Sequence, residues 1–386
     1  MAMVRAVVAL WSLVAVGGVL AEGDPVAAYR EAIARAEVEE GPWGASLQDL
    51  YLGLGRALLA QGDAEGAREA LFAGMQVVRV NEGLAAPAQE TFLFALADVD
   101  LARGDWRGAS EAVEQAVQLA GQDAPSPDER PLLRRALRWY LEHHRRVGAE
   151  GGLAYLAAGE RLALRLLQVP QAESLQPEDL RAFGAVELAL ARHLRRYGVP
   201  ADPARPSYAY GVLPEPVAEE SGVLEQVYRR GRTALRQHLG AVRARDPDDR
   251  AALAEAVALL GDWELAFDRP ASAARHYHSA WRLLAEGEQT RSLLERWFAA
   301  PRPIAFADPP GEEIVAVELT VTAQGRPRDP KFTEADRERL GKTLIGRLRR
   351  ELRAIRFRPR LEEGVPVETR AFVYQMPIPE GLRRDS

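Results

Sequence analysis

Apolar residues recur at intervals of three and four positions along most of the chain. From residue 24 to residue 298 this spacing continues with few β-branched runs, which indicates successive amphipathic helices. Asp24 followed by Pro25 is typical of a helix cap with proline at the first helical position. The pairs Gly62-Asp63 and Gly104-Asp105 each combine a glycine that ends one helix with an aspartate that begins the next. The pattern therefore predicts a mainly α region in which short turns pair neighbouring helices.

The hydrophobic period changes after a proline-rich stretch near residue 311. Residues 313–322 alternate in polarity and are rich in β-branched types, which predicts a strand. Gln324-Gly325 predicts a turn into a return strand over residues 327–332, and the evenly spaced leucines of residues 334–355 predict a helix. A second glycine turn precedes a last predicted strand over residues 365–376. The sequence therefore predicts a small α+β domain with the order strand, strand, helix, strand.

The first 21 residues have the pattern of a secretory signal. Arg5 precedes an apolar run over residues 6–20, and small residues lead up to a predicted cleavage position after Ala21. The alternative is an uncleaved anchor, but an apolar helix needs about 20 residues to cross a bilayer. The predicted segments are a signal peptide over 1–21, a helical-repeat domain over 22–299, a proline-rich linker over 300–311, the small domain over 312–380, and a tail over 381–386.

Five prolines interrupt the helical pattern between residues 198 and 216. Proline at that density cannot continue a helix, and it favours extended backbone. We interpret the interval as a surface loop or a recognition segment, and its function stays open.

Three units of the helical region repeat one internal spacing of large and small apolar residues. An aromatic or large residue and a small residue lie on the first helix, and small residues on the second helix allow the two to approach closely. The residues are Leu54, Gly55, Ala67, Leu71 and Gly74; Leu96, Ala97, Ala109 and Ala116; and Leu260, Gly261, Ala273, Tyr277 and Ala280. These units resemble the tetratricopeptide repeat, although the period is irregular and the usual terminal proline is missing. We expect the named residues to pack helix against helix.

The small domain resembles the C-terminal domain of TonB, the periplasmic energy transducer of Gram-negative bacteria. Residues 317–326, the Phe-Arg-Pro sequence at 357–359 and the Gly-Val-Pro-Val sequence at 364–367 carry the resemblance. The resemblance implies a sheet edge that accepts an extra strand from a partner, because the family binds its receptors by pairing with a short peptide. We expect the last strand to offer that edge, through Thr369, Arg370, Ala371, Phe372, Val373 and Tyr374.

The charge of the chain argues against a nucleic-acid partner. Its formal net charge is -6, whereas phosphate neutralisation needs a clustered basic surface. Residues 311–386 form the basic end, with 16 Lys and Arg against 13 Asp and Glu. The chain has no cysteine, so disulfides, thiol nucleophiles, cysteine zinc sites and lipid attachment to cysteine are all excluded.

The sequence contains no motif that predicts an enzyme. Its six histidines lie outside metal-binding spacings, and we interpret them as solvated or helix-surface residues. They are His143, His144, His193, His238, His276 and His278. No Walker loop, HExxH, GxSxG or GxGxxG sequence occurs. We therefore expect no catalytic, cofactor-binding or metal site, and no cofactor.

These features together predict a periplasmic interaction or scaffold protein of a Gram-negative bacterium. In this hypothesis the helical repeats bind one envelope protein and the TonB-like domain binds another, for example an outer-membrane protein, by strand addition. The alternative is a TonB-type component of outer-membrane transport that keeps its N-terminal helix as an inner-membrane anchor. Membrane contact is expected only in that alternative.

Overall fold

A computed structural model describes residues 24–119, 127–168, 176–198, 216–288, 290–304 and 313–378. The predicted signal peptide and tail lie outside these ranges, as does almost all of the proline-rich interval between residues 198 and 216. The chain divides into two compact units, residues 1–122 and residues 123–386.

The first unit is a series of helix pairs. Its helices are α1 (Pro25–Glu40), α2 (Leu47–Ala60), α3 (Ala64–Glu82), α4 (Gln89–Ala102) and α5 (Trp106–Leu119). The predicted turns join α2 to α3 and α4 to α5. Asp63 caps α3 by accepting a hydrogen bond from the amide of Gly66, and Asp105 accepts one from the amide of Gly108. Gly62 and Gly104 adopt positive φ, which ends the preceding helices at little steric cost. The glycine-aspartate turns predicted from the sequence therefore form as local structure.

Within the described part of the second unit, seven further α-helices precede the sheet. They are α6 (Arg130–His143), α7 (Gly148–Gln168), α8 (Pro177–Tyr197), α9 (Pro216–Arg245), α10 (Arg250–Ala266), α11 (Pro270–Ala285) and α12 (Arg291–Phe298). Neighbouring helices along the chain pack on each other, most extensively α8 on α9 and α10 on α11. Trp263, Tyr277 and Phe298 are fully buried in the core that α9 to α12 share.

The C-terminal part of the second unit is an α+β arrangement built around a three-stranded antiparallel sheet. Its elements are β1 (Arg302–Pro303), β2 (Ile314–Val321), β3 (Pro327–Phe332), α13 (Glu334–Ala354), β4 (Phe357–Arg358), β5 (Arg360–Glu362), β6 (Val365–Val367) and β7 (Thr369–Pro377). The main sheet has the order β3-β2-β7, while β1 pairs with β4 and β5 pairs with β6. The structure confirms the predicted class, mainly α with a small C-terminal α+β part.

The alternation of β2 explains how the sheet forms its core. Val315, Val317, Leu319 and Val321 are buried on one face, whereas the residues between them are exposed or half-buried. Leu344, Leu348 and Leu352 of α13 cover that face together with Phe357. Every second residue of β2 thus packs against the row of leucines along α13.

Two predicted elements differ in detail from the structure. The single strand expected over residues 365–376 is divided into β6 and β7, and Gly341 with a φ of 72° interrupts α13. The proline-rich segment over residues 300–311 begins with a strand, since Arg302 pairs with Arg358 and Pro303 with Phe357. Residues 305–311 of that segment lie outside the described residues.

Polar contacts, both buried and exposed, join the sheet region to the preceding helices. The guanidinium of Arg358 donates to both carboxylate oxygens of Asp262 on α10, at 2.9 and 2.6 Å. The hydroxyl of Tyr277 on α11 donates to the same carboxylate at 2.9 Å. Arg356 and Arg326 bind Asp268, which follows α10. The arginine of the Phe-Arg-Pro sequence therefore attaches β4 to the helical core.

Candidate functional site

The three-stranded sheet has two outer strands, β3 and β7, and the two edges differ in how well they could pair with another strand. The edge of β3 contains Pro327 and Pro330, which lack the amide hydrogen that pairing requires, and Asp329 there adopts a φ of 52°. Prolines and bulges of this kind protect a sheet edge from unwanted pairing. In β7 proline occurs only at the last position, Pro377. The edge of β7 is therefore the better candidate for accepting another strand.

The hydrogen-bonding direction along β7 follows from its pairing with β2. The amide of Ile378 donates to the carbonyl of Glu313 at 2.8 Å, and the register continues as Ile314 with Pro377 and Val315 with Met376. Antiparallel strands alternate between residues that bond to the partner strand and residues whose backbone groups point away. Phe372, Tyr374 and Met376 therefore direct their amides to β2.

The intervening residues, Val373 and Gln375, direct both backbone groups away from the sheet. Pro377 occupies the next outward position, where its missing amide hydrogen costs no bond to β2. Among the described residues, none forms a backbone hydrogen bond to the outward groups of Val373 or Gln375. We call residues 372–377 the free edge of β7. It offers two N–H donors and three carbonyl acceptors to a partner backbone.

The side chains along this edge also leave it accessible. Val373 has 53% of its surface exposed, and Gln375 is exposed as well. Phe372 and Tyr374 point to the opposite, inner face, where both rings meet Phe357 at centroid distances of 6.1 and 5.2 Å. A partner strand would find an open backbone with an exposed outer face and an aromatic inner face.

A β-bulge limits the free edge at its N-terminal end. Leu319 pairs with Phe372 and Val321 with Thr369, so Arg370 and Ala371 together face Thr320. Ala371 has a φ of 51°, which is unusual for a residue other than glycine. Bulges of this kind end regular pairing and increase the local twist. A strand that adds to β7 is therefore confined to the five or six residues before Ile378.

The six residues expected from the sequence to offer the edge occupy different positions in it. Thr369 begins β7, Arg370 and Ala371 form the bulge, Phe372 and Tyr374 face inward, and Val373 faces outward. Sequence reasoning missed Gln375 and Pro377. Pro377 was the available signal for both residues. Proline is tolerated in a strand where its nitrogen faces away from the paired strand, and Gln375, two residues earlier, faces the same way.

The residues expected to pack the helix pairs are all buried. They are Leu54, Gly55, Ala67, Leu71, Gly74, Leu96, Ala97, Ala109, Ala116, Leu260, Gly261, Ala273, Tyr277 and Ala280. A Cβ atom added to Gly55 would lie 2.6 Å from the Cγ of Leu71 on the facing helix. One added to Gly261 would lie 2.5 Å from the ring of Tyr277. Both pairs of helices thus approach at a glycine.

The interpretation of all six histidines as solvent-facing is wrong for His193 and His238. Both are buried, and each ring bonds to a backbone carbonyl, of Ala149 at 2.9 Å and of Pro177 at 2.9 Å. Burial lowers the pKa of His143 and of His144 to about 4. Within the described ranges, no three side chains of His, Asp or Glu are grouped so that they would hold a metal ion. The buried rings are therefore best explained by packing and carbonyl bonds.

The described helices include no membrane span, and comparison with known proteins identifies no family for the chain. None of the helices that the structure describes combines the length and apolar character needed to cross a bilayer. No protein-family model matches the chain, and no curated protein matches it significantly.

Proposed function

We propose that this protein works by binding other proteins, and that the free edge of β7 binds an extended segment of a partner by strand addition. The observation that carries the proposal is the pair of outward amides at Val373 and Gln375, which have no backbone partner among the described residues. Main-chain hydrogen bonds supply the affinity in this mode of recognition. No catalytic side chain is needed, in agreement with the lack of any enzyme motif in the sequence.

Exposed apolar side chains on the first unit support a second binding surface on the helical repeats. Val80 at the end of α3 and Leu84 just after it are both exposed, as is Trp43 in the turn between α1 and α2. The side-chain amide of Asn81 donates to the carbonyl of Trp43 at 2.9 Å, which brings the three apolar residues into one neighbourhood. Exposed apolar groups that cluster in this way commonly mark protein-binding surfaces.

The proposed setting is the periplasm, with envelope proteins as the partners. The N-terminal signal pattern and the resemblance of the small domain to that of TonB support this setting. The scaffold hypothesis is preferred to an energy transducer because a helical-repeat region stands where that family has a long proline-rich spacer.

Two variants at Val373 test strand addition. Val373→Pro removes an outward amide but no bond to β2, whereas Val373→Thr keeps the amide and changes only the exposed side chain. Purified wild type and both variants are crosslinked to envelope extract from the native host, and the crosslinked partners are quantified by mass spectrometry. We expect the proline variant to lose its partners about tenfold or more, and the threonine variant to keep them.

The melting temperatures of the three proteins provide the control for folding. Proline at Ala371 is unsuitable for this test, because its φ of 51° is incompatible with the proline ring and the fold itself would suffer. Wild-type yields of the same partners from a folded Val373→Pro variant would exclude strand addition at this edge.

A further inference from the structure

Four arginines lie near one another at the end of α8 and just after α6. Arg145 follows α6, and Arg192, Arg195 and Arg196 lie on the last two turns of α8. We call these four residues the arginine recess. They belong to the helical part of the second unit, so neither the strand pattern nor the resemblance of the small domain involves them.

The arginine recess has fewer carboxylates than cations. Glu351 of α13 binds both Arg145, at 3.1 Å, and Arg196. Arg192 instead donates to the carbonyl of Ile304 at 2.5 Å, and Arg195 donates to the carbonyl of Ala266 at 2.7 Å. Backbone carbonyls satisfy a donor but do not neutralise its charge. Asp268 partly compensates Arg195, whereas Arg192 has no carboxylate partner among the residues that the structure describes.

Arg192 is the arginine of the recess that no described carboxylate binds or compensates. The residue keeps exposed surface, yet burial in the surrounding protein, together with the charges of Arg145 and Arg195, lowers its pKa to about 10. A side chain that is reached by solvent and still surrounded by protein lines a concave site. Charges attract a ligand more strongly in such a site than on an open surface.

Tyr374 connects the arginine recess to the free edge of β7. Its ring lies 5.2 Å from that of Phe357, which pairs with Pro303, and Arg192 donates to the carbonyl of the next residue, Ile304. Burial raises the pKa of Tyr374, and the charges of Arg145 and Arg192 oppose that rise. In paired strands, residues opposite each other point to the same face and lie about 5 Å apart. The side chain of a partner residue opposite Tyr374 would therefore enter the space between the sheet and these two arginines.

We propose that the strand bound at the free edge of β7 carries an aspartate or glutamate opposite Tyr374, and that Arg192 and Arg145 bind its carboxylate. This inference rests on the strand addition proposed above and specifies the chemistry of the partner. Arginine suits the role because its planar group forms paired hydrogen bonds with a carboxylate. Valine- and threonine-rich segments with one inward acid are the expected class of ligand.

The probes for this inference are short fluorescent peptides that alternate valine and threonine around a central glutamate, glutamine or lysine. Their affinities for the full chain are measured by anisotropy at low and at high salt. We expect the glutamate peptide to bind about tenfold more tightly than the glutamine peptide, and the lysine peptide to bind most weakly. Salt should reduce this preference.

Arg192→Gln and Arg145→Gln should each reduce the preference for glutamate while leaving the affinity for the glutamine peptide unchanged. Arg337→Gln is the matched control, because it removes one positive charge from the first turn of α13, at the other end of that helix from Glu351. Equal affinity of wild type for the glutamate and glutamine peptides would overturn the inference. An equal loss for all peptides in Arg192→Gln would also overturn it, because it would indicate a structural role.

The Val373→Pro variant separates this inference from the proposed function. If that variant binds no peptide while wild type binds the glutamate and glutamine peptides equally, strand addition stands and the acidic preference is wrong. If it binds every peptide as wild type does, strand addition itself fails, and the inference fails with it. Binding of phosphatidylglycerol vesicles through Arg192, without any peptide preference, would assign the recess to lipid headgroups and overturn the inference.

Discussion

Glu187 on α8 shows how strongly burial acts on a single charged residue of this protein. Its side chain is fully buried, and Arg230 on α9 binds it at 3.2 Å while also binding Glu160 on α7 at 2.8 Å. Burial raises the pKa of Glu187 to about 8; Arg230 opposes the rise and Glu160 adds to it. One guanidinium thus binds two carboxylates, and the raised pKa keeps Glu187 protonated near neutral pH.

The raised pKa predicts that stability falls as pH rises toward 8. Between the ordinary glutamate pKa and the raised one, the folded state holds a proton that the unfolded state has lost, so each pH unit costs up to about 1.4 kcal/mol. Burial lowers the pKa of His143 and of His144 to about 4, so both are neutral in the folded state above pH 6.5. The unfolded chain still loses histidine protons between pH 6.5 and 8, so the difference between wild type and a Glu187 variant is needed to isolate Glu187.

We expect the stability of Glu187→Gln relative to wild type to increase from pH 6.5 to pH 8, as measured by urea unfolding of the full chain. Glu225→Gln, which alters an exposed ion pair with Arg229, is the control and should not change the slope. Parallel pH profiles for wild type and Glu187→Gln would show that Glu187 is ionised throughout this range.

At the scale of elements, the helix pairs depend on small residues at their closest approach. Ala67 on α3 has no exposed surface, and its carbonyl would lie 3.3 Å from a Cβ atom placed on Gly55 of α2. Ala67→Leu should overpack this contact and destabilise the first unit by about 1 to 3 kcal/mol. Ala28→Leu, at an exposed position of α1, is the matched control. Equal unfolding midpoints for the two variants would count against close packing of α2 on α3.

The sequence predicted the elements well where one face of an element is buried. The alternation of Val315, Val317 and Leu319 identified β2, because a period of two brings every second side chain into the core. The bulge in β7 was not predictable, since nothing in the sequence marks alanine at Ala371 for a left-handed conformation. Pro377 could be read from the sequence. Whether its nitrogen faces β2 or the free edge depends on the strand register, which only the fold defines.

The candidate site could be predicted only in part because its components are distant in sequence. The last strand was identified as the edge, but Arg145 contacts Glu351 of α13, and Arg192 contacts the carbonyl of Ile304, only after α6 and α8 pack in the second unit. In the same way, Arg358 was assigned to a motif of the small domain, whereas its carboxylate partner, Asp262, lies on a helix. Local patterns carry no information about such long-range pairs.

At the scale of the whole molecule, function depends on how binding surfaces are distributed. The first unit exposes an apolar neighbourhood around Trp43, and the second exposes the free edge of β7. These surfaces belong to separate compact units. The proposed scaffold role requires surfaces that can be occupied independently, so we expect a change at Trp43 to leave the proposed strand binding at β7 intact.

Residue-resolved amide hydrogen exchange tests the central claim most directly. In the free protein the amides of Val373 and Gln375 should exchange rapidly, while those of Phe372, Tyr374 and Met376 are protected by β2. The glutamate peptide should slow exchange at the two outward amides and leave the three inward amides unchanged. Protection of Val373 and Gln375 in the free protein, or exchange there that the bound peptide does not slow, would contradict strand addition at this edge.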